Sequence, residues 1–146
     1  MEKKIINEGI KFQCQGSGNC CVSHGSHGYV YLSKKDLNNI SKFFKITPKF
    51  FIKKYCEYTD GFLHFKEIRN DGSCQFLKNK KCTVYKARPI QCRTWPFWKE
   101  NMEPKSWNTN IVTFCPGIGK GTKINYDKIS DIIKKDEINS KKIIKL

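Results

Sequence analysis

Cys74-Gln75-Phe76-Leu77, four residues, Cys82-Thr83-Val84-Tyr85, then Arg88-Pro89-Ile90-Gln91-Cys92-Arg93-Thr94-Trp95-Pro96-Phe97 is the stretch whose reading decides the rest of the chain. Its cysteines are spaced Cys-x7-Cys and Cys-x9-Cys. Neither spacing is that of a zinc knuckle, where two residues usually separate the ligands. Residues 83–93 predict a short helix interrupted by Pro89, because proline removes a donor and restricts the residue before it. Arg88 and Arg93 flank Cys92. Two readings of them stand side by side: cations that offset thiolate charge, or side chains that tie the loop to backbone carbonyls. Trp95, Pro96, Phe97 and Trp98 read either as plain core or as a lid excluding water from a metal.

Outward from this stretch, more cysteines appear. Cys14, Cys20 and Cys21 open the chain and Cys115 follows in a Cys-Pro-Gly turn, while Cys56 stands apart. Thiolate is a soft ligand suited to zinc and to iron–sulfur clusters. The opening cysteines lie in a glycine-rich loop over residues 13–28, which allows tight turns and N–H groups aimed at sulfur. Cys56 falls on the face of a predicted helix with Phe51, Ile52 and Tyr55, and reads as a small buried residue. His24 and His27 have His-x2-His spacing, but an exposed Gly-Ser-His loop gives the same letters. They stay outside the ligand set. His64 reads as structural.

The chain has 146 residues, enough for one domain, 1–146, with a modest core. The 28 basic and 13 acidic residues leave a charge of +15, a field that attracts anions. No apolar run is long enough to span a membrane, and the charged N-terminus does not read as a signal peptide. The expectation is a cytoplasmic protein, where thiols stay reduced and clustered cysteines bind metal more readily than they pair. No paired carboxylates or Ser-His-Asp arrangement stands out. Gly117 to Thr122 lacks the spacing of a phosphate loop.

The predicted elements make an α+β fold, loop-rich around the metal, with two N-terminal helices and a C-terminal helix. Ser33 reads as an N-cap with Asp36 three residues on, opening a helix that ends near Lys45. Thr47-Pro48 opens the second helix. Residues 126–138 form the closing helix, with a basic tail from Ser140 expected to fray. Strands are expected at Tyr29 to Leu32, over 62–68 and from Ile111 to Phe114.

These residues carry a resemblance. Phe12-Gln13-Cys14, Gly18-Asn19-Cys20-Cys21, the stretch Cys74 to Phe97 and Cys115-Pro116-Gly117 resemble the CxxCxxCC family of zinc- or iron-chelating domains over roughly residues 12–121. The Tyr-x-x-Arg-Pro-x-x-Cys-Arg segment is its most specific part. The chain departs from the pattern at Ser17, where the family carries a cysteine, and a serine hydroxyl is a poor soft ligand. The resemblance implies metal ligation by Cys14, Cys20, Cys21, Cys74, Cys82, Cys92 and Cys115. An iron–sulfur cluster of the 4Fe-4S type is preferred over zinc, because the cysteines exceed what one four-coordinate ion needs. Longer relatives that methylate flagellin lysines imply an alternative: iron-dependent redox or protein-modifying chemistry on a protein substrate. A second alternative is a zinc-containing nucleic-acid-binding module, suggested by the charge and the aromatics.

Overall fold

The computed structural model describes residues 9–14, 29–112 and 115–146. The elements are β1 (Ile10–Phe12), α1 (Lys34–Phe44), α2 (Pro48–Tyr55), β2 (Cys56–Thr59), β3 (Phe62–Phe65), β4 (Leu77–Lys78), β5 (Lys81–Cys82), α3 (Ile90–Thr94), α4 (Pro104–Ser106), β6 (Ile118–Ile124) and α5 (Tyr126–Ser140). A 3-10 turn (Tyr85–Ala87) precedes α3, and a π-helical segment (Trp107–Ile111) continues α4. The strands form three antiparallel pairs, β1 with β6, β2 with β3 and β4 with β5. The class is therefore α+β.

The first two helices start where their caps dictate. Ser33 Oγ accepts from the Asp36 amide at 3.2 Å, and Asp36 Oδ2 accepts from the Ser33 amide at 3.1 Å, a reciprocal capping box. Lys45, in the left-handed region at φ 58°, ends α1. Thr47 then caps α2, with Pro48 in its first turn. Cys56 is not part of that helix: it is the first residue of β2, paired with Phe65. The two-residue turns Asp60-Gly61 and Asn79-Lys80 both have positive φ, as tight hairpins require.

Two apolar clusters form the core. One gathers Leu37, Ile40, Phe51, Leu63, Phe65, Phe76 and Val84 from the α1–α2 pair and the small hairpins. Phe76, between Cys74 and Cys82, packs its ring 5.0 Å from that of Phe65, so the cysteine-bearing hairpin is anchored by an aromatic. The other cluster gathers Ile10, Trp95, Phe97, Trp98, Trp107, Ile111 and Ile129. Trp95, Phe97 and Trp98 are thus core residues.

Several expectations are corrected. The stretch from Tyr29 to Leu32 is not a regular strand: Tyr31 forms an isolated bridge to His64, and Leu32 donates to the Leu63 carbonyl. The expected strand over 62–68 is the shorter Phe62–Phe65. Ile111 ends a π-helical segment and Val112 has helical backbone angles, with Trp107 and Ile111 in one buried cluster, so the strand expected from Ile111 does not begin there; Thr113 and Phe114 lie outside the described residues. Gly117 to Thr122 lies mostly within β6. The basic tail is docked, since Leu63 donates to the Ile144 carbonyl, Ile144 donates to Leu32, and Ile144 packs on the first cluster.

Candidate metal centre

Four described segments carry the predicted ligands. Cys14 is exposed and follows β1 directly. Cys74 and Cys82 are half-buried at the two ends of the β4–β5 hairpin: Leu77 donates to the Cys74 carbonyl, and Leu77 faces Cys82 in register. Cys92 lies in the middle of α3, and Cys115 precedes the turn into β6. Cys20, Cys21, Ser17, His24 and His27 lie outside the described residues. Among the described residues no three His, Cys, Asp or Glu side chains come together as a metal cage.

The framework brings the Cys14 segment against the Cys115 turn. β1 and β6 pair Ile10 with Ile124 and Lys11 with Lys123, and then the register jumps so that Phe12 faces Ile118. The intervening residues of β6 bulge outward, with Gly119 at φ 87° and Gly121 at φ 72°, conformations that glycine adopts without strain. Beyond the jump, the Gln13 amide donates to the Gly117 carbonyl at 3.0 Å. A Cβ on Gly117 would collide with the Gln13 carbonyl oxygen, so only glycine allows this approach. The chain leaving β1 at Cys14 therefore lies against the Cys115-Pro116-Gly117 turn.

The other end of the opening loop is fixed beside Cys92. Gln91 Oε1 accepts from the Tyr31 amide at 3.0 Å, and Gln91 Nε2 donates to the Tyr29 carbonyl at 3.1 Å. One amide side chain thus clamps residues 29–31 to α3.

Helix α3 is itself held from three sides. Asp36, 2 % exposed, accepts from the Ile90 amide through Oδ1 at 3.0 Å. The carboxylate of the α1 capping box therefore also caps the N-terminus of α3. Arg93 donates to the Arg88 carbonyl at 2.7 Å and to the Lys86 carbonyl at 2.9 Å. Arg88 donates to the Tyr85 carbonyl at 3.0 Å, with its guanidinium 3.8 Å from the Tyr85 ring centre. Both arginines do tie the loop to backbone carbonyls. Thr94 donates to Asp136 of α5 at 3.1 Å and accepts from the Trp98 indole at 3.0 Å. Burial pushes the Asp136 carboxyl up to about 6; the Thr94 hydrogen bond opposes this, and Glu100 and Glu137 add to it.

Cys56 is set apart chemically, although Cys74 and Cys82 pack against the same cluster. It is 4 % exposed within the first cluster, and burial pushes its thiol up to about 12, with Lys66 opposing. It is kept as a neutral apolar thiol, not a ligand-ready thiolate. His64 is fully buried: Nδ1 donates to the Phe65 carbonyl at 2.7 Å, which leaves Nε2 to accept from Thr59 Oγ1 at 2.7 Å, and its ring stacks on Tyr29 at 3.7 Å. These contacts make His64 structural.

Gln91, Gly117 and the second role of Asp36 were not singled out from the sequence. Gln91 directly precedes a motif cysteine, which is the only local signal; its partners lie 60 and 62 residues away.

Comparison with known proteins places the chain. It is 29% identical over 140 residues to an uncharacterized protein of Methanocaldococcus jannaschii, covering 90% of this chain and 72% of that protein. No solved structure matches. No helix among the described residues is long and apolar enough to cross a membrane. The model of the CxxCxxCC family matches residues 13–116, from the start of the Cys14 segment to the Cys115-Pro116 turn. With the match running through every motif cysteine segment, this chain belongs to the CxxCxxCC family, described as a zinc- or iron-chelating domain.

Proposed function

We propose that the protein holds a resident metal centre through Cys14, Cys20, Cys21, Cys74, Cys82, Cys92 and Cys115, and that this centre is an iron–sulfur cluster in preference to zinc. The observation that carries the reading is the double anchoring of the opening loop, to Gly117 beside Cys115 and through Gln91 beside Cys92. Drawing together segments so distant in sequence is entropically costly, and a metal bound by thiolates from both sides offsets that cost. The donor set fits the group: sulfur ligands beside two arginines suit a soft, thiolate-rich centre. Seven thiols exceed the four that close a zinc site, which favours a cluster. The metal's contribution when bound is a cross-link between loops, with redox capacity if it is a cluster. The protein's contribution is orientation: Asp36 and Gln91 fix α3, and Gly117 admits the Cys14 strand. A thiolate-bound centre of this kind is consistent with a cytoplasmic setting, where thiols stay reduced.

Metal analysis and an absorption spectrum of protein purified without oxygen test this reading. Stoichiometric iron and sulfide, with a broad visible absorption that bleaches on reduction, are expected. A colourless protein with one zinc per chain would overturn the cluster assignment and leave the chelating role intact.

A further inference from the structure

A cleft of about 400 Å³ lies between the first turn of α1 and the C-terminal half of α5, with none of the cysteines in its lining. Five of its ten lining residues are lysines: Lys34 and Lys35 from α1, and Lys134, Lys135 and Lys142 from α5 and the segment after it. Asp131 is the only acidic group in the lining. Basic residues make up 28 of 146 in the whole chain, so the cleft lining is richer in them than the chain as a whole. The two lysine-bearing segments are held together by the buried bond from Asn139 to Asp36 at 3.4 Å and by the bridge between Ser33 and Ile143. The lysines therefore cannot relax their repulsion by moving the elements apart. Asp131, together with Asp36, which accepts from the lining residues Ser33, Ile90 and Asn139, does not neutralise five ammonium groups, and among the described residues none of those five ammonium groups makes a hydrogen bond or ion pair. The volume falls in the range of small-ligand sites, which run from about 300 to 1,000 Å³. Lysine binds phosphate as a mobile point charge, without the planar readout that arginine supplies. Ile90 and Ile138 add an apolar wall.

We propose that this cleft binds a compact polyphosphate anion, either a free phosphate chain or the phosphate chain of a nucleoside polyphosphate. The site stands independently of the metal, although its wall residue Ile90 opens α3, the helix of Cys92.

Calorimetric titration of the full, metal-loaded chain with sodium tripolyphosphate tests the proposal. Binding is expected, weakened at least tenfold in Lys134→Gln/Lys135→Gln. It should be unchanged in Lys49→Gln/Lys53→Gln, which removes the same charge from the exposed face of α2. Circular dichroism melts of both variants should match the parent. A parallel titration with ATP separates the sources: equal affinity assigns the cleft to a phosphate chain alone, and tighter binding adds the nucleoside against Ile90 and Ile138. Absence of tripolyphosphate binding, or equal loss in both double variants, overturns the proposal. So does preferential, Lys134-dependent binding of a thymidine oligonucleotide, which would make the surface a nucleic-acid contact.

Discussion

Asp36 accepts hydrogen bonds from three buried partners: the Ser33 amide, the Ile90 amide and the Asn139 side chain. Its role in the capping box was legible, because Ser-x-x-Asp before a helical pattern is a local signal. Its reach to α3 and α5 was not, because Ile90 and Asn139 lie 54 and 103 residues away. Asp36→Ala strips the acceptor from all three donors and should cost about 2–4 kcal/mol in chemical denaturation, since each buried unsatisfied donor is expensive. It should also loosen α3 and lower metal content. Gly117 acts through close approach. Gly117→Ala forces the Gln13 carbonyl away and should reduce metal occupancy more than stability, because the β1–β6 pairs at Ile10 and Lys11 lie beyond the disturbance. Metal content beside the melting curve of that variant checks both halves.

At the level of elements, caps and turns were the readable part. Ser33, Thr47 and Lys45 bound their helices where local chemistry placed them. The β1–β6 ribbon was not readable, because its Ile-Lys-Phe and Ile-Gly-Lys-Gly-Thr-Lys-Ile segments pair across more than 100 residues and through a bulge. The segment around Ile111 misled through its β-branched letters, while burial beside Trp107 set its true helical form. The α3–α5 contact supplies a pH dependence. Asp136 titrates near 6 in the folded protein against an ordinary value of 3.8, so the folded state holds the proton more tightly between those values. This group's contribution is full below pH 3.8, declines as pH rises toward about 6 and is constant above it. Asp136→Asn should abolish that decline while keeping an acceptor for Thr94. Denaturant midpoints of parent and variant should converge at the acid end and separate above about pH 6, with the variant the more stable.

For the whole molecule, the candidate centre is part local motif and part long-range packing. The cysteine positions, the Arg-Pro-x-x-Cys-Arg motif and the exclusion of Cys56 could be read from the letters. The anchoring of each loop end could not, since it depends on Gln91 and Gly117 meeting distant backbone. Five of the 28 basic residues line the cleft between α1 and α5. The central claim is that cysteines from both anchors of the opening loop share a metal, while Cys56 belongs to the core. Metal bound per chain in the parent, Cys92→Ser and Cys56→Ser proteins, prepared side by side without oxygen, tests it most directly. The account predicts stoichiometric metal in the parent and in Cys56→Ser, and its loss in Cys92→Ser. Full metal in Cys92→Ser together with an empty Cys56→Ser would contradict it.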